Sequence, residues 1–365
     1  MPSIVSVSSF TPPYRLSQDT TTEFARELFG ENFQDIERLL TVFANGQIEE
    51  RQFAVPLGWF REDHTLKERN DLYIELATEF CVEAILRCLT NSAFLKEEIS
   101  VGSIDAIVLV SSSGMSTPSL DARIMNKLPF SLHTKRIPLW GLGCAGGAVG
   151  VSRAHEHCLA FPSANVLVIC VELCSLTFQR NDRSKSNLIG TSLFADGVAC
   201  ALICGDESKW IHQVKKATRP TIVATKSTLL PNSEEVMGWD VRDSGLHVVF
   251  SRDIPSIISE WLEPNVSTFL EEQGVTLEHL SSFIAHPGGK KVLDAYVRAL
   301  GIEEEMLDAS KTVLRSHGNM SSPTVLYVLE QEMARINGDG DYGLMAALGP
   351  GFSSELVFLQ WKGVH

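Results

Sequence analysis

Between residues 72 and 89 the chain reads LYIELATEFCVEAILRCL, with apolar positions recurring every three or four residues and charges between them. That spacing predicts an amphipathic helix whose buried stripe takes in Cys81 and Cys88. Residues 20–29 carry the same period and predict a second helix. Residues 104–110, IDAIVLV, are instead apolar but for Asp105 and rich in β-branched residues, and run into the small-residue turn SSSG. Such a run predicts a buried strand. Strand-like runs alternate with longer helical patterns along most of the chain, which predicts α/β layering.

The two ends of the chain repeat this order. IDAIVLVSSSG (104–114) parallels LSSFIAHPGG (280–289), RIPLWGLGCAGGAVGVSRA parallels TVLRSHGNMSSPTVLYVLE, and VLVICVEL parallels DYGLMAALGPG. Similar order at similar spacing predicts duplicated halves, residues 1–215 and 216–365. Residues 215–240, with Pro220 and Pro231, read as the connection.

One turn stands out within this frame. In GLGCAGGAVG (141–150) a single cysteine lies among small residues, directly before a helical pattern expected over 146–158. A thiol at a helix N-terminus meets free N–H groups and a favourable dipole, which together favour the thiolate. Gly141, Gly143, Gly146 and Gly147 are expected to leave room for a substrate carbonyl. His286 (AHPGG) and Asn319 (HGNMSS) fall at corresponding turns of the repeat, each expected between a strand and a helix. Such turns line the ligand crevice of open α/β sheets. His286 as imidazolium would lower the thiol pKa further, and Asn319 would offer an uncharged donor to a developing oxyanion.

Composition narrows the partners. The 365 residues carry a net charge of −14, which argues against nucleic acid and against anionic membrane surfaces. The longest apolar run is interrupted by Glu172 and is too short to span a bilayer, and no signal peptide is expected at the N-terminus. Eight cysteines without a CxxC pair read as reduced thiols of a cytoplasmic protein. Cys170 and Cys174, like Cys200 and Cys204, are four apart on strand-like runs and so share a face; with no suitably spaced histidine, no metal site is expected.

The segments WGLGCAGGAVG, SLFADGVACALICG (192–205), FIAHPGGKKVLDAY (283–296), HGNMSSPTVLYVLE (317–330) and LGPGFSSELVFLQW (348–361) resemble the type III polyketide synthases, the chalcone synthase-like branch of the thiolase superfamily. NGQIEERQF, PSLDARIMNKLPF and ELCSLTFQ look most like bacterial members that make alkylpyrones from fatty acyl-CoA. The resemblance implies a duplicated αβαβα thiolase-like fold, a homodimer, and coenzyme A thioesters as substrates, acyl-CoA and malonyl-CoA, with no bound cofactor. It implies Cys144 as the nucleophile, and His286 and Asn319 as the donors that hold the malonyl thioester while carbon dioxide leaves. Phe194 would present an apolar face to the departing carboxylate. Cys174, Thr177, Thr117, Ser321, Gly349, Pro350 and Gly351 would line or shape the substrate cavity.

Departures from the plant pattern carry further expectations. Val248 stands at the second gatekeeper aromatic, which would widen the cavity enough to admit an alkyl chain. Thr117 stands where a methionine reaches across the dimer in plant enzymes. The basic residues that hold the coenzyme A phosphates in plant enzymes are absent near 37–45, leaving Arg51 as the candidate. Two other readings belong beside this one. A single-extension synthase working on acyl carrier protein would have to overcome repulsion between two acidic proteins. A silent acyl-binding protein would keep a tunnel but would not need Cys144, His286 and Asn319 together.

Overall fold

The structure, a computed structural model, describes every residue except Asn32, Gln34, Ile336 and His365. Its centre is a nine-stranded sheet. In spatial order the strands are Leu280–Ala285, Tyr342–Gly349, Ser353–Gly363, Thr218–Leu229, Ser3–Phe10, Asp196–Cys204, Asn165–Leu173, Ala106–Val110 and Lys135–Leu139. Parallel pairing is confined to the two flanks, where Leu280–Ala285 meets Tyr342–Gly349 and where Ala106–Val110 lies between Asn165–Leu173 and Lys135–Leu139.

Strand periodicity explains the layers. Val166, Val168 and Cys170 point into one cluster with the helices Gly146–Ala160 and Thr324–Ala334, while Leu167, Ile169 and Val171 point into another with the helix Leu66–Leu89. In the second half, Met345 and Ala347 face the same two central helices, and Leu344, Ala346 and Leu348 face Ile254–Glu272 and Lys290–Leu300. The two flanks of the one sheet thus enclose the two central helices and carry further helices on their outer faces, giving α/β/α/β/α layering.

The expected elements are present with small shifts. The helix read from residue 72 begins six residues earlier at Leu66, because Thr65 and Glu68 form a reciprocal capping box. The helix read over 20–29 spans Gln18–Phe29, capped by Ser17. The strand read over 104–110 spans Ala106–Val110.

Three expectations need correction. Thr218–Leu229 lies in the supposed connection yet is a twelve-residue strand at the middle of the sheet; Pro220 is tolerated opposite Trp361. Asn319 follows a helix, Asp308–His317, rather than a strand, so the repeat holds only from Asn319 onward into Thr324–Ala334. Cys174 opens a short 3-10 turn after its strand ends at Leu173 and so does not share a strand face with Cys170.

Candidate active site

The two central helices meet where their N-termini approach. A Cβ on Gly147 would sit 2.4 Å from Val325 Cγ1 and 2.5 Å from the carbonyl oxygen of Ser322, and one on Gly146 would sit 2.5 Å from Val110 Cγ1. These glycines therefore make room for protein, not for substrate as the sequence suggested. Gly143, at φ +45°, likewise admits Pro350, and Gly349 abuts Ala145 and the carbonyl of Leu142. The stretch Gly349–Gly351, expected in the cavity wall, braces the turn that carries Cys144 from behind.

That turn is also held by a buried acid. Glu172 accepts from the Ser112 backbone N–H at 3.1 and 3.0 Å and from Ser322 Oγ at 3.0 Å, while Ser112 Oγ accepts from the Gly143 N–H at 3.1 Å. Burial raises the Glu172 pKa to about 7 despite those bonds.

Cys144, His286 and Asn319 line one enclosed chamber, together with Met237, Phe250, Ile254, Tyr296 and Leu348 among others. Each arrives differently. His286 ends the strand Leu280–Ala285, its N–H donating to the Ala346 carbonyl at 2.8 Å. Asn319 exchanges backbone hydrogen bonds with Leu193 and Ala195 at 3.0 and 2.9 Å, which fixes Phe194 beside it. Its Oδ1 accepts from the Ser321 N–H at 2.8 Å, so Nδ2 faces the Gly288 carbonyl at 3.2 Å and Cys144 Sγ at 3.9 Å. Ser321 takes a positive φ of 59° to make that contact.

Electrostatics here differ from the sequence expectation of a thiolate beside an imidazolium. Burial pushes the Cys144 thiol up to about 11, against the pull of the Ser321 and Asn319 hydrogen bonds. Burial also pushes His286 down to about 3, and neither ring nitrogen has a protein partner among the described residues. Desolvation outweighs the helix dipole because both groups are within a few per cent of complete burial. Burial thus favours the neutral form of each group taken singly, and no hydrogen bond joins the thiol to the imidazole among the described residues.

A larger cavity of about 620 Å³ lies beyond Phe194, lined by Leu16, Phe24, Phe53, Cys174, Thr177 and Val248 among others. Phe194 lines this cavity, Phe250 lines the chamber, and their rings pack edge to face at 6.5 Å. Val248 is thus not the whole gate. Its strand, Gly245–Phe250, places a second ring two residues on, on the same face, and an aromatic pair survives. Phe250 was visible in GLHVVF, but only pairing geometry reveals which residue of that strand faces Phe194.

Arg51 and Thr117 also sit elsewhere than expected. The Arg51 side chain is fully buried, donating from Nη1 to the carbonyls of Thr191 and Phe194 at 2.7 Å each, with its stem under Gly318. A residue so enclosed lines the cavity beyond Phe194 rather than the protein surface. It anchors the segment that carries Phe194. Thr117 is exposed on a loop with Met115 and lines neither the Cys144 chamber nor the cavity beyond Phe194, and Trp140 Nε1 donates to the nearby Gly114 carbonyl at 3.0 Å. No group of three metal-ligating side chains occurs among the described residues.

Comparison with known proteins decides the family. Residues 51–207 match the N-terminal domain, and residues 221–362 the C-terminal domain, of the chalcone and stilbene synthases. The chain belongs to that family. It is a type III polyketide synthase, an acyltransferase of the condensing-enzyme class. It is 49% identical to a Bacillus subtilis protein named for chalcone synthase, over 98% of each chain. It is 33% identical to a 1,3,6,8-tetrahydroxynaphthalene synthase of Streptomyces peucetius, over 98% of this chain and 93% of the other. With the Mycobacterium tuberculosis protein named alpha-pyrone synthesis polyketide synthase-like Pks18 the identity is 30%, over 96% and 89%. The crystal structure of 1,3,6,8-tetrahydroxynaphthalene synthase from Streptomyces coelicolor superposes with a TM-score of 0.90 at 28% identity, covering 99% of both chains. The thiolase-like fold of the type III synthases is therefore the fold of this enzyme.

Proposed function

We propose that this synthase loads a long-chain fatty acyl-CoA starter, extends it with malonyl-CoA in repeated decarboxylative condensations, and releases an alkylpyrone. The observation that carries the starter class is the large cavity behind Phe194, whose wall carries five phenylalanines, two leucines, Trp239 and Val248 beside Arg51 and a few small polar side chains. Each methylene buried there contributes about 0.8 kcal/mol, so a long alkyl chain is favoured over a short polar one. The resemblance of one relative's name to this chemistry, alpha-pyrone synthesis, points the same way.

In this reading Cys144 Sγ attacks the acyl-CoA carbonyl carbon as its proton passes to His286. The carbon–sulfur bond to coenzyme A breaks, and the departing thiolate takes the proton back. Malonyl-CoA then enters the chamber. Its bond to the carboxylate breaks, carbon dioxide leaves, and the electron pair becomes an enolate whose oxygen accepts from His286 and Asn319 Nδ2. The carbanion attacks the acyl group on Cys144 and expels the cysteine thiolate, which then attacks the extended thioester and displaces coenzyme A for the next cycle. At the last stage an enol oxygen of the chain attacks its own thioester carbonyl, coenzyme A leaves, and the pyrone ring closes. Phe194 and Phe250 keep water from the reacting carbons, while Cys174, Thr177 and Val248 shape the space for the chain.

Several further parts belong to the same proposal. The halves meet near residue 215. The enzyme works as a homodimer joined along the flank strand Lys135–Leu139, where Leu132 and Trp140 expose 94% and 54% of their surface. It acts in the cytoplasm, in keeping with eight free, buried cysteines, and no helix among the described residues is long and apolar enough to cross a membrane.

The test is mass analysis of products from a panel of acyl-CoA starters with isotopically labelled malonyl-CoA. Pyrones carrying the alkyl chain and two labelled extender units are expected. Products built from malonyl-CoA alone, with no alkyl incorporation, would overturn the starter assignment.

A further inference from the structure

Three polar atoms on the wall of the Cys144 chamber lack a hydrogen-bond partner among the described residues. Two are the ring nitrogens of His286, which the proposed chemistry employs. The third is the hydroxyl of Tyr296, which it does not.

Tyr296 is completely buried on the helix Lys290–Leu300, which begins directly after the His286 turn. Its ring packs edge to face against Phe283 at 5.6 Å and 89°, and phenylalanine would satisfy that packing equally well. Nothing among the described residues uses the oxygen. A buried hydroxyl left without a partner is unfavourable, and such groups in native structures call for an explanation. The rest of the wall restricts what that explanation can be. Met237, Phe250, Ile254, Ile258, Val292 and Leu348 are apolar, so among the described residues lining the chamber a substrate oxygen finds nitrogen or oxygen side-chain donors at His286, Asn319 and Tyr296, besides the reacting Cys144 thiol. Burial raises the phenol pKa, so the hydroxyl keeps its proton and remains a donor across the working pH range.

We propose that Tyr296 is a third hydrogen-bond donor to the malonyl thioester oxygen, acting beside His286 and Asn319 as that oxygen becomes an enolate. The inference rests on the decarboxylative reading above. During the step the carbon–carbon bond to the carboxylate breaks, carbon dioxide departs, and negative charge gathers on the thioester oxygen. The phenol strengthens its hydrogen bond to that oxygen without giving up its proton. A donor whose bond strengthens as charge develops lowers the barrier more than it tightens ground-state binding, so its loss falls on kcat rather than KM.

The experiment is release of labelled carbon dioxide from malonyl-CoA by the wild-type enzyme and by Tyr296→Phe, with the melting temperature of each. The variant keeps the ring and removes only the orphaned oxygen. It is expected to melt at or above the wild-type temperature, while kcat falls about 100-fold and KM stays within about twofold. An unchanged kcat in the variant, or a loss confined to KM, would overturn the role of Tyr296 while leaving the decarboxylative reading intact. Failure of the wild-type enzyme to release carbon dioxide would overturn that reading, and this inference with it.

Discussion

Cys144 and His286 share a chamber that disfavours a charge on either group taken alone, the thiol being raised to about 11 and the imidazole lowered to about 3. For the thiol the folded value lies above the ordinary one, so the protonated form persists through neutral pH. The thiolate fraction, and with it the nucleophilicity, should grow about tenfold for each pH unit until the pKa is approached. Alkylation of Cys144 by iodoacetamide, followed by peptide mass analysis between pH 6 and pH 10, should therefore climb steadily. A plateau already reached below pH 7 would signal a preformed thiolate–imidazolium pair and contradict the neutral resting state. The sequence made this cysteine conspicuous through its glycine-rich surroundings, and His286 and Asn319 through their place in a repeat. It did not reveal their protonation, because burial depends on side chains from distant segments such as Ile254 and Leu348. Tyr296 was equally hidden: in KKVLDAY it occupies an ordinary core position of an amphipathic helix, and only the missing partner of its hydroxyl sets it apart.

At the scale of elements, periodicity located the strands and helices well and explained them poorly. The helix after Cys144 was legible from its spacing, whereas the purpose of its glycines was not. Gly147 lies where two central helices cross at contact distance, and any side chain there meets Val325 and the Ser322 carbonyl. Gly147→Ala gains up to about 1 kcal/mol of helix propensity but forces overpacking worth about 1–3 kcal/mol against backbone that cannot swing aside. Urea unfolding should show a net loss of stability. A variant at least as stable as wild type would mean that the two helices are not packed as described. Thr218–Leu229 shows the opposite failure, where prolines and mixed charge disguised a central strand. Its pairing with Ser353–Gly363 comes from the far end of the chain, and no local pattern announces such a partner.

In the whole molecule, the two halves of the chain bring their separate contributions to one chamber: the thiol from the first, the imidazole and the amide from the second. The aromatic pair Phe194 and Phe250 divides that chamber from an apolar cavity more than twice its size, about 620 against 290 Å³. In the proposed reaction this arrangement would separate two tasks, holding a grown chain in one space and generating a carbanion in the other. In that proposed reaction the growing chain is carried on Cys144. Intact-protein and peptide mass spectrometry after incubation with a long-chain acyl-CoA, without malonyl-CoA, tests it most directly. One acyl group per chain should appear on the peptide containing Cys144 and disappear in Cys144→Ala; an acyl group on another residue, or its persistence in that variant, would contradict the account.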